Sequence, residues 1–323
     1  MNNEAIAICL PSFNRNRQRF KNNLVENTVL GKASCRLFHR RRNMLLLFIF
    51  CSFLSSITVI QNAPIPLEMV DMTYTFDETT LYWPTQKKFE LVVIENGTQE
   101  EGYWLQMEEY FSGIHVGTHM DAPCHFAKGR WSVDQIPLSH LTAPAAVIDI
   151  TKKAEEDRDA LVQVDDFEKW EMMSGQSLDG TIIMIRSGWG KRWNDKEAFI
   201  GTPDNDTTKF HYPGISKEAA QWLMDNRNVY GVGTDTLSLD NGPSQELMAH
   251  RIILDKNVYG LENVANMDML PIYGATLYVM PMKIGNASGA PTRIIAVFPK
   301  ILFTKDGTTA TERSLREIII FNK

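Results

Sequence analysis

Residues 181–186 read TIIMIR, and the first five of them place apolar or β-branched side chains on both alternating faces. A short run of this kind predicts a strand buried at the centre of a sheet that is covered on both sides. Further strands are predicted where Val, Ile, Thr and aromatic residues cluster between Gly, Pro or Asn. These stretches are residues 67–76, 89–95, 103–110, 145–150, 229–232, 275–282 and 293–298.

Helical periodicity is less frequent than strand-like patterning. It appears in residues 164–174, 216–227 and 244–254. In the second of these stretches, Ser216 is a suitable N-cap, and Ala219 and Leu223 share one apolar stripe. Since strands outnumber helices and the order is mixed, we expect one α/β (or α+β) domain with a twisted mixed sheet and flanking helices. The order of the strands in that sheet stays open.

Composition and charge narrow the class of protein. The chain has 323 residues, of which 44% are hydrophobic and 22% charged, and these proportions exclude a disordered chain, a collagen-like repeat and a coiled coil. The net charge of −6 conceals a split, because residues 1–60 carry +7 and the remainder −13. We expect no nucleic acid partner, since such binding depends on neutralising phosphates.

The amino-terminal region has the pattern of a targeting signal. Arg40, Arg41 and Arg42 precede an uncharged apolar run, residues 44–60, which is shorter than the roughly 20 residues that span a bilayer. This pattern predicts a signal peptide over 44–62, or alternatively an uncleaved signal anchor, in which case alone the protein would contact a membrane. Residues 1–43 are then an extended n-region, or lie upstream of a true start at Met44. A folded domain over 64–305 and a C-terminal extension over 306–323 complete the predicted organisation.

Cysteine usage and glycosylation motifs agree with export. Cys124 is the one cysteine of the predicted domain, so no internal disulfide is possible there. Three Asn-x-Ser/Thr acceptors follow the leader, at Asn96, Asn205 and Asn286. We therefore expect a secreted or lumenal glycoprotein.

The chemistry is concentrated in one short segment, residues 115–125, which reads HVGTHMDAPCH. Gly117 and Pro123 exclude a regular helix here, so the segment is predicted to be a loop. A loop can direct several imidazoles and one carboxylate towards a single point. Imidazole nitrogen and carboxylate oxygen without thiolate are donors that suit Zn²⁺ or Mn²⁺.

The string HxGTHxDxPxH resembles the signature of the cyclase family of metal hydrolases, which includes bacterial-type kynurenine formamidases and isatin hydrolases. Four other motifs resemble that family in the same order: Tyr82-Trp83-Pro84, residues 233–240 (GTDTLSLD), His250 followed by Glu262-Asn263, and Gly289-Ala290-Pro291-Thr292-Arg293. The resemblance extends over residues 65–300 and implies the swivelling, barrel-like fold of that family. One departure is Thr85, where relatives usually have Gly, and it concerns the shape of the substrate pocket.

The resemblance implies a centre for two divalent ions, Zn²⁺ or Mn²⁺. Its ligands would be His115 and His119 on the first ion, His250 on the second, and Asp121 and Glu262 bridging the pair.

Other roles implied by the resemblance concern the substrate and the proton. His125 would be the general acid and base, and Trp83 would stack on an aromatic substrate. Asp235, Ser238 and Asp240 are candidates for orienting the ligands.

The implied activity is hydrolysis of an amide by a water that two metal ions activate. The reaction resembles that of an arylformamidase of tryptophan catabolism, which converts N-formyl-L-kynurenine to kynurenine and formate. One alternative is opening of a cyclic amide, as in isatin hydrolases. Another is a non-catalytic secreted protein that binds metal or a partner on the same scaffold. From the resemblance we also expect a homo-oligomer, with a homodimer as its simplest form.

Overall fold

Strands make up most of the regular structure in residues 66–300, the part of the chain that the computed structural model describes. They are β1 (Leu67–Asp71), β2 (Glu90–Thr98), β3 (Trp104–Phe111), β4 (His119–Asp121), β5 (Thr142–Asp149), β6 (Leu161–Val162), β7 (Ile182–Arg186), β8 (Gly214–Ile215), β9 (Gly231–Thr234), β10 (Tyr259–Glu262), β11 (Thr276–Pro281) and β12 (Gly289–Pro299). The predicted leader and C-terminal extension lie outside the described residues.

Seven of these strands close into a barrel in the order β12-β11-β5-β7-β9-β10-β4, with β4 pairing back onto β12. Strands β5, β7, β9 and β10 run parallel to one another, whereas β4, β11 and β12 make antiparallel pairs. The long strand β12 pairs with β4 through its first residues and with β1 through its last ones. The prediction of a mixed, barrel-like sheet is therefore confirmed.

The predicted central strand is β7, with β5 on one side and β9 on the other. Its side chains divide between two apolar clusters, as expected for a strand covered on both faces. Ile182 and Met184 point into the barrel, where they join Met120 and Leu261. Ile183 and Ile185 belong to the cluster under the helices.

The helices are short and cover mainly the outer face of the parallel strands. They are α1 (Thr151–Glu156), α2 (Val164–Ser174), α3 (Lys196–Ile200), α4 (Lys217–Asn226) and α5 (Met248–Leu254). Short 3₁₀ helices lie at Pro123–His125, Val133–Gln135, Leu138–His140, Trp189–Arg192, Thr207–Lys209 and Met267–Met269. The bounds predicted for α2 are confirmed, and Ser216 caps α4 by accepting from the backbone N–H of Ala219.

Two local predictions were wrong. The helix predicted over residues 244–254 begins only at Met248, because Leu247 is left-handed and Asp240 accepts the first backbone N–H groups from outside the helix. The loop predicted over residues 115–125 contains strand β4. Gly117 and Pro123 exclude a continuous helix across the segment, but they leave room between them for the three strand residues that close the barrel. The last three residues, Pro123–His125, form a 3₁₀ helix.

Strands β2 and β3 form a separate hairpin outside the barrel. Among the described residues, each strand pairs only with the other, and large apolar side chains such as Trp104, Leu91 and Tyr110 are exposed on the hairpin. The predicted acceptor Asn96 is exposed on this hairpin, and Asn205 and Asn286 are exposed elsewhere. No helix within residues 66–300 has the length and hydropathy needed to span a bilayer.

One ion pair ties the C-terminal end of α4 to α2. Glu171 accepts two hydrogen bonds from the Arg227 guanidinium, at 2.8 and 2.6 Å, and its Oε1 also accepts from the backbone N–H of Leu178. These bonds, of which those from Arg227 matter most, hold the pKa of Glu171 below its ordinary value. The stability that they contribute is therefore present above the unfolded pKa of about 4.3 and is lost as the pH falls through the folded pKa.

We predict that Glu171→Gln lowers the free energy of unfolding by about 1–3 kcal/mol at pH 7, because the charged hydrogen bonds are weakened. The difference from the unsubstituted protein should shrink as the pH falls below about 4. Denaturant unfolding across this pH range measures it, with Glu155→Gln on the exposed surface of α1 as the control. A deficit that is the same at every pH would contradict the assignment.

Candidate metal centre and its cavity

A cavity of about 180 Å³ opens where the carboxyl ends of β9 and β10 meet β4. Its wall brings together every residue predicted to be a metal ligand, the acid and base, or the substrate contact. The lining residues are Trp83, Thr85, Gln86, His115, His119, Asp121, His125, Phe126, Leu237, Ser238, Leu247, His250 and Glu262.

The short strand β4 directs two of the predicted ligands into the cavity. His119 and Asp121 are two residues apart, so both face the cavity while Met120 between them packs in the barrel core. Across the sheet, His119 is paired with Glu262 of β10, and Asp121 is paired with Gly260. The register alone therefore places one imidazole and two carboxylates on the same side.

Asp121 is the centre of the cluster and is buried. Its Oδ1 lies 2.6 Å from His115 Nδ1 and 3.3 Å from His119 Nε2, and its Oδ2 lies 3.1 Å from His250 Nε2. Burial works to raise the pKa of Asp121, but the three histidines outweigh it and hold this pKa well below the ordinary value. The group is therefore a carboxylate.

Glu262 is the second buried carboxylate. Its Oε1 accepts from the backbone N–H of Leu239 and lies 3.0 Å from His250 Nε2, while its Oε2 lies 3.4 Å from His119 Nε2. Burial and the charge of Asp121 would raise its pKa, yet the two histidines lower it overall. Two carboxylates thus share one buried site.

The surroundings of His119 show that a cation fits here. Gly117 O can only accept, so Nδ1 of His119 carries the proton and donates to it at 3.0 Å. Nε2 is buried, has no hydrogen-bond partner among the described residues, and faces the oxygens of Asp121 and Glu262. Burial opposes protonation, but these carboxylates raise the pKa of His119 to about 10. Either a proton or a metal ion satisfies such an arrangement, and the donors are those that Zn²⁺ and Mn²⁺ accept.

Asp240 holds His250 in position. Its Oδ2 accepts from His250 Nδ1 at 2.7 Å, and the same carboxylate accepts the backbone N–H groups of Ala249 and His250. The remaining nitrogen, Nε2, is thereby turned towards Asp121 and Glu262. Among the three residues predicted to orient ligands, Asp240 is the one in direct contact with a histidine of the cluster.

The other two predicted orienting residues have different places. Ser238 lines the cavity and accepts from the backbone N–H of Asp240. Asp235 points away from the cluster and accepts from Ser187 and from the backbone N–H of Trp189. Burial raises its pKa.

His115 lies between two acceptors and against a second imidazole. Its Nδ1 faces Asp121, and its Nε2 lies 3.1 Å from Ser288 Oγ. The His125 ring stacks on it with 4.0 Å between ring centroids. Burial lowers the pKa of His125 to about 4, so His125 is neutral near pH 7.

The potential ligands form two groups that share Asp121: His115, Asp121 and His125 in one, and His119, Asp121 and Glu262 in the other. Asp121, expected from the resemblance to bridge two ions, is the carboxylate common to both groups. His115 and His119, expected on one ion, stand in different groups, because His119 is paired with Glu262 across the sheet whereas His115 precedes β4. His125 stands among the potential ligands rather than apart from them.

Several residues of the site were not found from the sequence. Leu237, Leu247 and Phe126 form an apolar wall, and none carries a chemical signal, although Phe126 directly follows His125. Ser288 was noticed only as part of a glycosylation motif. Two histidines outside the motifs lie elsewhere: His140 stacks on Tyr230, and His211 pairs with Asp159 on the surface.

Comparisons with known proteins agree with the geometry. The family model described as "Putative cyclase" matches residues 70–241. Isatin hydrolase from Roseibium aggregatum is 34% identical over 58% of this chain and 73% of its own length. Kynurenine formamidase from Salinibacter ruber is 24% identical over 71% of this chain and 97% of its own length.

A solved structure has a similar fold. Isatin hydrolase A from Ralstonia solanacearum superimposes with a TM-score of 0.66 and 28% identity, over 83% of this chain and all of the other. Because the family model also matches more than half of the sequence, this protein belongs to the cyclase family and is a hydrolase of that family.

Proposed function

We propose that the protein hydrolyses the amide bond of a small aromatic substrate with the help of divalent metal ions, and that a neutral cyclic amide such as isatin suits its cavity best. The observation that carries the proposal is the composition of the cavity wall. Four imidazoles and two carboxylates line one side, and apolar side chains, including Trp83 and Phe126, form the other. No Lys or Arg is among the described residues that line it.

The metal-binding side chains fall on the two sides of Asp121. One ion would be held by His119 and Glu262, and the other by His115, with His125 close enough to contribute. His250 lies between the two carboxylates. We propose two ions, Zn²⁺ or Mn²⁺, because Asp121 is common to both groups. Such ions supply Lewis acidity, which polarises a carbonyl and lowers the pKa of water to about 7.

The side chains of this chain account for binding and for proton transfer. Trp83, Phe126 and Leu247 receive an aromatic ring and exclude water from the reacting carbonyl. His125 is neutral and faces the same space, so it can take a proton from the attacking water and deliver it to the departing nitrogen. No covalent intermediate is required.

The substrate preference follows from charge. N-formyl-L-kynurenine carries an amino-acid carboxylate beside its ammonium group, and the cavity wall offers that carboxylate no cationic side chain. A bicyclic amide without a carboxylate needs no such partner. The greater identity to an isatin hydrolase than to a kynurenine formamidase supports the same order. Formamidase activity, the first expectation from the sequence, is therefore the second candidate.

The proposal is tested with the purified full chain after chelation and after adding back Zn²⁺ or Mn²⁺. We expect ring opening of isatin to be lost on chelation and restored by metal, with slower release of formate from N-formyl-L-kynurenine. Faster formate release would reverse the order of the two substrates. Bound metal without turnover of either substrate would favour the non-catalytic, metal-binding alternative.

His125→Ala should lower kcat by about 10²–10⁴ while the metal content stays near that of the unsubstituted protein, because a general acid and base contributes rate rather than a required ligand. Steady-state kinetics and metal analysis of the same sample measure both. His211→Ala, which changes a surface histidine, is the matched control. Loss of metal together with activity would instead assign His125 as a ligand.

Asp240→Asn should weaken metal binding by about 10–100-fold. The carboxylate of Asp240 keeps the His250 proton on Nδ1 and leaves the lone pair on Nε2 free for a metal ion, whereas an amide fixes this arrangement less firmly. Titration against a competing chelator gives this affinity. Asp204→Asn changes a surface carboxylate that bonds Lys209 and should leave the metal affinity as it was. Unchanged affinity in Asp240→Asn would exclude a positioning role.

A further inference from the structure

We infer that Ser288 is a positioning residue for His115, a role that rests on the proposed metal centre. Its hydroxyl accepts a hydrogen bond from His115 Nε2–H and so reserves Nδ1 for the metal. Ser288 immediately precedes strand β12, far from His115 in the sequence, and it belongs to none of the motifs that carry the family resemblance.

The geometry of the ring supports this assignment. His115 Nδ1 lies 2.6 Å from Asp121 Oδ1, and Nε2, on the opposite side of the ring, lies 3.1 Å from Ser288 Oγ. The ring is buried. Each nitrogen thus has one defined neighbour, and only the Nδ1 side faces the carboxylate shared by both groups of ligands.

The chemistry of imidazole fixes the direction of the hydrogen bond. A neutral imidazole has one lone pair and one N–H, and a nitrogen that binds metal must offer the lone pair. If Nδ1 binds the ion beside Asp121, the proton is on Nε2, and this buried N–H needs an acceptor. Ser288 Oγ is the acceptor within reach.

The other two histidines of the cluster follow the same plan. His119 donates from its far nitrogen to Gly117 O, and His250 donates from its far nitrogen to Asp240. Each of the three histidines thus has one acceptor for its far nitrogen. The acceptor is a backbone carbonyl for His119, a carboxylate for His250 and a hydroxyl for His115. Ser288 is the member of this set that was not evident from the sequence.

The backbone around Ser288 holds the hydroxyl in place. Ser288 O accepts from the backbone N–H of Ala122, and Gly289 pairs with Asp121 at the start of β12. A Cβ on Gly289 would lie 2.8 Å from His115 Cε1 and 2.5 Å from Met120 O. The His115 ring is thus confined between this glycine and the His125 ring. The hydrogen bond to the Ser288 hydroxyl then fixes how the His115 ring is turned within that space.

Ser288 is also the third residue of the acceptor Asn286-Ala287-Ser288, so its hydroxyl has a second explanation. Asn286 is exposed and lies outside the cavity wall. Variants separate the two explanations. Ser288→Ala removes the hydroxyl and the acceptor motif, Asn286→Gln removes the motif alone, and Ser288→Thr retains both.

The experiment measures Zn²⁺ affinity of the full chain by chelator competition, together with the visible absorption of the Co²⁺-substituted protein. We expect Ser288→Ala to bind Zn²⁺ about 10–100-fold more weakly and to change the Co²⁺ spectrum. Asn286→Gln and Ser288→Thr should keep both properties of the unsubstituted protein. Thermal unfolding without metal provides the check that each variant is folded.

Three results would overturn the inference. The first is native affinity and spectrum in Ser288→Ala, and the second is an equal loss in Asn286→Gln, which would assign the effect to glycosylation. An equal loss in Ser288→Thr would show that packing rather than the hydroxyl is responsible, and so also overturns it. Neither affinity nor spectrum depends on turnover, so the substrate can be wrong while Ser288 keeps its role. If the unsubstituted protein binds no metal, the proposed function itself fails.

Discussion

The close approach of two buried carboxylates, Asp121 and Glu262, is the constraint on which the site depends. Like charges in a buried place repel strongly unless positive charge lies between them. The protein supplies part of that charge through His119 and His250, whose pKa values these carboxylates raise and whose far nitrogens are each held by a separate acceptor. A divalent cation would supply positive charge between the carboxylates in place of those protons, and imidazole and carboxylate are donors that Zn²⁺ and Mn²⁺ accept.

The way in which the barrel closes brings Asp121 and Glu262 together. Strand β4 has only three residues, yet it closes the ring by pairing with β10 on one side and β12 on the other. Gly260 and Gly289 are the residues opposite Asp121, so no side chain competes with the carboxylate for space. The step that closes the sheet is therefore also the step that assembles the centre.

Local patterns predicted much of the fold, because burial on one or both faces leaves a periodic trace in the sequence. This is why β7, α2 and the Ser216 cap agree with the structure. The barrel-like form was expected only from the family resemblance, since closure depends on pairing residues 119–121 with residues 289–291, which no local pattern reveals. The start of α5 was misplaced because its first backbone N–H groups donate to Asp240, which is distant from the helix start in the sequence.

The candidate site was predicted unevenly for a similar reason. The residues from His115 to His125 are close in sequence and chemically unusual, and the family resemblance connected them to His250 and Glu262. Ser288 had only a common hydroxyl and a better-known explanation as part of a glycosylation motif. Leu237 and Leu247 resemble ordinary core residues, and only their position in the cavity wall distinguishes them.

The β2–β3 hairpin begins and ends beside the cavity. Before it come Trp83 and Gln86, after it comes His115, and the backbone N–H of Gly113 donates to Lys87 O at its base. The chain therefore leaves the wall and returns to nearly the same point. Residues 88–112 form an excursion whose length can change while its two ends stay fixed. Insertions or deletions at the hairpin tip could thus accumulate during evolution without altering the spacing between the aromatic wall and the histidines.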